Sequence, residues 1–321
     1  MLPILTRQDA MHYMAYNRLY REEKDPKKKQ MWMETLLAQT VITRTLGDQW
    51  WRGASDEIDS WVRGAKREVP RMHPLSAFMT GGSERVVQPE RWGQVIRLGA
   101  DLLTLLDQPV ANQSLEGKLT ELRSNAFFDA WFEISTCGIF IRKGMIAKLI
   151  PESRREKRPD IEVQGDFGKV LVECKARRKL TAEERASDMV YRKKMKVRIG
   201  GVVDLLKDAL LKFPNPDSPT LVVVNIDLPQ NPAGGLELKL LRSELELLMI
   251  RNPNLSGVLL LTEVFDEDKG DGIIGFHGEM HALKSQNPTH PLPDEFFRRL
   301  VDSSMDSRPK MFYLTDYAMK H

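Results

Sequence analysis

Apolar residues recur at three- and four-residue spacing through two stretches of the first third, KKKQMWMETLLAQTVITRTL and ERWGQVIRLGADLLTLLDQ. That period predicts amphipathic helices, with Pro- and Gly-bearing clusters such as HPLSAFMTGGSE between them. The polar segment DQPVANQSLEGK, Asp107 to Lys118, predicts a boundary. It separates an N-terminal all-helical region, residues 1–112, from a second domain, residues 113–321.

From Asn125 the pattern changes to alternating elements. NAFFDAWFEISTCGIFIRKG carries Phe127, Trp131, Ile134 and Ile141 on one helical stripe, and Gly144 stands where a C-terminal stop belongs. MIAKLIP then predicts a strand, followed by a hairpin in RPDIEVQGDFGKVLVECKARR. A basic and then amphipathic helical region, AEERASDMVYRKKMKVRIGGVVDLLKDALLKF, leads to the apolar strand TLVVVNIDL. GLELKLLRSELELLMIRN reads as a helix, SGVLLLTEVF as a strand, and GIIGFHGEMHA as its return after the acidic loop DEDKGDG. Strands alternating with helices predict an α/β fold with a mixed sheet flanked by helices.

Side chains alternate between the faces of a strand, and directly opposed residues of a hairpin share a face. A turn at GDFG, Gly165 to Gly168, sets Gln164 opposite Lys169, Val163 opposite Val170, Ile161 opposite Val172 and Asp160 opposite Glu173. One face then gathers Ile161, Val163, Val170, Val172 and Cys174 as core. The other gathers Asp160, Glu162, Leu171, Glu173 and Lys175. Opposed carboxylates repel, so Asp160 against Glu173 calls for a positive group between them. A hard divalent cation suits such a pair, because Mg²⁺ binds through one or two carboxylates and keeps room for substrate phosphates. Lys175 points the same way as Glu173 and can stabilise charge developing on a phosphate.

Composition narrows the partners. The 321 residues carry a net charge of only +3, but Ile141 to Gly200 hold 18 Lys or Arg against 9 Asp or Glu, an excess of +9 that leaves −6 for the rest. A polyanion is the partner this asymmetry favours. The two cysteines, Cys137 and Cys174, exclude a four-cysteine zinc or iron–sulfur site. No apolar run reaches the roughly 20 residues of a membrane helix, and the first residues lack a signal-peptide pattern, so a cytoplasmic protein with no membrane contact is expected. His277 and His281 stand four apart but on flanks that read as strand, and DEDKGDG lacks the glycine spacing of a calcium loop.

RPDIEV followed by VLVECK resembles the PD-(D/E)XK nuclease superfamily, whose motif is Pro-Asp at the start of one strand and Glu-X-Lys on the next. The matching residues are Pro159, Asp160, Glu173, Cys174 and Lys175, and the resemblance covers about Asn125 to Leu228. It implies a restriction-endonuclease-like core. It implies further a Mg²⁺- or Mn²⁺-dependent deoxyribonuclease, an endonuclease of restriction, defence or repair, which leaves a 5′ phosphate. Asp160, Glu173 and the backbone carbonyl of Cys174 would hold the metal, and Lys175 would position the nucleophile. Glu133 best matches the carboxylate that the superfamily often carries on an upstream helix, as metal ligand or water-orienting group, with Glu121 and Glu116 as alternatives. Arg177, Arg178, Lys179, Arg192, Lys193 and Lys194 would grip the backbone of nucleic acid, DNA rather than RNA. The RecB-type Gln-X-X-X-Tyr pattern fails, since Ser187 stands four residues before Tyr191. The N-terminal helices are expected to meet the target, a partner protein or a second copy. The alternative reading is an inactive nuclease-fold subunit that binds nucleic acid or serves in an assembly.

Overall fold

The computed structural model describes residues 4–47, 92–124, 126–151, 157–176, 201–214, 216–226, 232–265, 276–302 and 313–321. In chain order these form α1 (Arg7–Tyr16), α2 (Arg18–Glu22), α3 (Pro26–Leu46), α4 (Trp92–Asp107), α5 (Pro109–Leu122) and α6 (Phe127–Arg142). Next come β1 (Ile146–Leu149), β2 (Ile161–Gly165), β3 (Gly168–Ala176), a helical stretch at residues 201–210 (α7) and β4 (Thr220–Ile226). The chain ends with α8 (Pro232–Arg251), β5 (Gly257–Phe265), β6 (Phe276–Lys284), α9 (Asp294–Val301) and α10 (Tyr313–Lys320). Two compact units result. One holds α1 to α5, α6 as far as Gly138, and α10; the other holds the end of α6, all six strands and α7 to α9.

This partition departs from a boundary at residue 112. The segment that reads as a linker is mostly helix: Pro109 sits in the first turn of α5, where a missing N–H costs nothing. Ala111, Leu115, Lys118 and Leu122 form its buried stripe, so the polar residues between them are simply its outer face.

Within the helical unit, Asp25 caps α3 by accepting from the backbone N–H groups of Lys27 and Lys28. Glu34 of the same helix is wholly buried. It accepts from the backbone N–H groups of Leu314 (3.1 Å) and Thr315 (3.0 Å) and from the Thr315 hydroxyl (2.5 Å). The carboxylate thus takes the donors at the start of α10 that the helix itself cannot satisfy. Burial lifts Glu34 to about 7, against those hydrogen bonds, which pull it down. The folded state therefore binds a proton between pH 4.5 and 7 that the unfolded chain releases, so this group's contribution is full below 4.5 and fades as pH rises through about 7. We expect Glu34→Gln to gain on the wild type by about 3 kcal/mol over that window, read from denaturant unfolding at several pH values. A constant difference between the two proteins would refute it.

In the other unit the strand order is β1-β2-β3-β4-β5-β6. β1, β2 and β3 are antiparallel neighbours, β3, β4 and β5 run parallel, and β6 returns antiparallel to β5. The hairpin register is the expected one, with Ile161 opposite Val172, Val163 opposite Val170, Gln164 opposite Lys169 and Gly165 opposite Gly168. Asp166 and Phe167 make the two-residue turn, and Gly168 follows at φ 96°, a conformation that side chains resist. Gly144, at φ 74°, ends α6 as its position predicts.

Parallel neighbours need long crossovers, and here α7 lies between β3 and β4 while α8 lies between β4 and β5. Val202, Leu206, Ala209 and Phe213 from the first crossover and Leu241, Leu245 and Met249 from the second share one core with Val222, Val224, Val258 and Leu260. Both crossovers therefore cover the same face of the sheet. On the central strand β4 every residue but one is buried, which explains its continuous apolar run. Phe296 of α9 packs against Phe140 and Phe167 at ring-centroid distances of 6.0 and 5.3 Å.

Candidate metal centre on the hairpin

The antiparallel register, continued one step past Ile161, brings Asp160 to Glu173. Backbone bonds hold Asp160 there: its N–H donates to Val172 (3.0 Å), and its carbonyl accepts from Ile150 (2.7 Å). Its Oδ2 accepts from the N–H of Cys174 at 2.7 Å, which ties the carboxylate to β3.

Glu173 pairs with Val222 across the parallel ladder and so stands on the face covered by α7 and α8. Its relative exposure is 0%. This differs from the fate of Glu162, which Lys148 directly opposite neutralises at 2.9 Å near solvent. Glu173 Oε1 accepts from Lys175 Nζ at 2.6 Å. Oε2 is buried with no hydrogen-bond partner among the described residues. Burial, with the Asp160 charge added, pushes Glu173 up to about 7, and Lys175 and Lys212 only partly offset it. Burial works against the charge of Lys175, but the Glu173 hydrogen bond and the two carboxylate charges outweigh it and raise its pKa.

Cys174 points to the opposite face, buried and reduced, as a core residue should be. Lys212, which no motif singles out, enters the same site: its Nζ lies 4.0 Å from Glu173 Oε1 and 3.3 Å from the Arg158 carbonyl oxygen. In the sequence it reads only as a polar position closing a helix.

A divalent cation fits this donor set. A buried carboxylate oxygen that finds neither water nor a donor is costly, and two acids that repel each other raise that cost. Asp160, Glu173 and the Cys174 carbonyl are the groups that would hold such an ion. Among the described residues no three His, Cys, Asp or Glu side chains gather as a ligand group.

Glu133 lies in the helical unit, where Lys118 Nζ meets its Oε2 at 2.6 Å. The same ammonium bonds Glu121 at 2.8 Å. Two of the three helix carboxylates that the sequence offers are thus joined by one buried lysine, a link that spacing alone does not reveal. Glu116 is exposed. Arg177, Arg178, Lys179, Arg192, Lys193 and Lys194 lie outside the described residues. No described helix is long and apolar enough to cross a membrane. Compared with known proteins, the chain matches no family model, no curated protein and no solved structure.

Proposed function

We propose that this chain is a metal-dependent nuclease with a restriction-endonuclease-like core, hydrolysing phosphodiester bonds of DNA. The observation that carries the reading is Glu173. Its carboxylate lies buried beside Asp160, with one oxygen on Lys175 and the other without a donor among the described residues. A solvent-facing pair neutralised by lysine would look like Glu162 and Lys148 instead.

Mg²⁺ or Mn²⁺ held by Asp160, Glu173 and the Cys174 carbonyl would supply Lewis-acid polarisation of the scissile phosphate and neutralise its charge. Cys174 N–H fixes the orientation of Asp160. Lys175, one bond from Glu173, stabilises negative charge that grows on the phosphoryl oxygens and orients the attacking water. The cationic run from Arg177 to Lys194 grips the backbone without reading bases. The helical unit serves to meet the target, a partner or a second copy.

Supercoiled plasmid should be cut in Mg²⁺ or Mn²⁺ and spared in EDTA. Cation uptake must displace the proton that Glu173 holds below about 7, so affinity should weaken as pH falls through that value. Calorimetry in two buffers of different ionisation enthalpy would register the released proton. DNA binding without cleavage of plasmid, linear duplex or single strands would return the chain to the second reading, an inactive nuclease-fold subunit.

A further inference from the structure

Lys212 follows α7 at the turn where the first crossover heads back toward β4. It touches both halves of the acidic centre: the loop before Asp160 through the Arg158 carbonyl (3.3 Å), and β3 through the field it exerts on Glu173 (4.0 Å). The second separation is too long for a hydrogen bond. Lys175 already occupies that Glu173 oxygen at 2.6 Å, so Lys212 is not needed to satisfy it.

An ammonium carries three donors, and one carbonyl at 3.3 Å engages only one of them. The Lys212 side chain keeps 29% of its surface exposed, more than the 23% of Lys175 and far more than the 1% of Glu173. It therefore stands at the rim of the centre, charged and reachable from solvent. The charges also balance in a telling way. Asp160 and Glu173, once ionised, cancel Lys175 and Lys212, so a divalent cation leaves the cluster positive and able to draw in an anionic backbone.

Resting on the nuclease reading, we propose that Lys212 is a substrate-binding residue whose ammonium contacts a non-bridging oxygen of a DNA phosphate beside the acidic pair. A compact, freely rotating cation suits a phosphate met at a rim, where no planar bidentate geometry is imposed. The competing role is a tether that merely holds the Arg158 loop.

Lys212→Gln removes the charge, and Lys212→Arg, which keeps both a charge and donors for the Arg158 carbonyl, is its control. The experiment uses the full chain, a mixed-sequence duplex oligonucleotide, and Ca²⁺ in place of Mg²⁺, with affinity measured over a series of salt concentrations. Lys212→Gln should bind about tenfold more weakly at low salt, the loss of one charge-assisted contact. Its plot of log affinity against log salt should be shallower by about 0.9, as one phosphate contact is lost. Lys212→Arg should keep both, and the melting temperatures should agree. Wild-type affinity and slope in Lys212→Gln would overturn the proposal. So would weaker binding with an unchanged slope, which is the mark of a tether. Wild-type protein that binds DNA but cuts none with Mg²⁺ overturns the nuclease reading alone, since the slopes still decide on Lys212; protein that binds no DNA overturns both.

Discussion

Glu173→Gln should lower plasmid cleavage on the order of 10³-fold while leaving the protein at least as stable as the wild type, a loss comparable to removing one group that stabilises transition-state charge. The two halves of that expectation have one cause. Glu173 is a fully buried carboxylate that burial and Asp160 lift to about 7, so above that pH its charge works against the fold. The amide removes the repulsion and keeps the shape. Lys175, freed of its partner, has 23% of its side chain exposed and can turn its head to water. Asp160→Asn should lose cleavage equally, and the double variant should fall little further, because groups that act as a unit are not additive. Rates from a gel-based plasmid assay, set beside thermal melts, give both readouts. Cleavage by Glu173→Gln at the wild-type rate would remove the acidic pair from the chemistry, and a sharp drop in its melting temperature would show that the carboxylate serves the fold.

The hairpin was legible because its information is local. Alternating valines fix the faces, the Gly-Asp-Phe-Gly turn fixes the register, and together they place Asp160 against Glu173. The burial of Glu173 was not legible. It comes from α7 and α8 crossing the same face of the sheet, contacts made by residues 29 to 76 positions downstream, from Val202 to Met249. The hairpin pattern does not say which of Glu173 and Glu162 is buried, yet one is sealed in and the other pairs with Lys148 near solvent. Lys212 was missed for the same reason. Helix α10 gave no sequence signal either, since it is short, buries only Leu314 and Ala318, and starts where Glu34 accepts from it 280 residues away. Asp107 to Lys118 reads as a linker yet is mostly helix, because Pro and polar residues mark a linker and a helix's first turn alike.

Lys118 should prove a costly residue to lose, and the way it is lost should decide what Glu133 is for. Its side chain is 3% exposed, with Glu133 at 2.6 Å and Glu121 at 2.8 Å. Burial opposes its charge, but the Glu133 charge and the bonds to both carboxylates outweigh that and raise its pKa. Lys118→Met keeps the apolar stem and removes the cation, so Glu133, itself buried, loses the ammonium 2.6 Å from its Oε2. Breaking a buried pair from one side costs about 3–5 kcal/mol, a drop on the order of 10 °C in melting temperature for a chain of this size. The reverse change is milder. In Glu133→Gln the lysine keeps Glu121, whose side chain is 24% exposed and already partly hydrated, so about 1 kcal/mol is expected. Lys118→Met with Glu133→Gln should then recover most of the loss, a coupling that a double-mutant cycle measures directly. Equal costs for the two single variants would sink this account of the pair. Cleavage by Glu133→Gln then assigns the residue: wild-type activity makes Glu133 a counter-charge of the helical unit, whereas lost activity at near wild-type stability makes it the helix carboxylate of the nuclease.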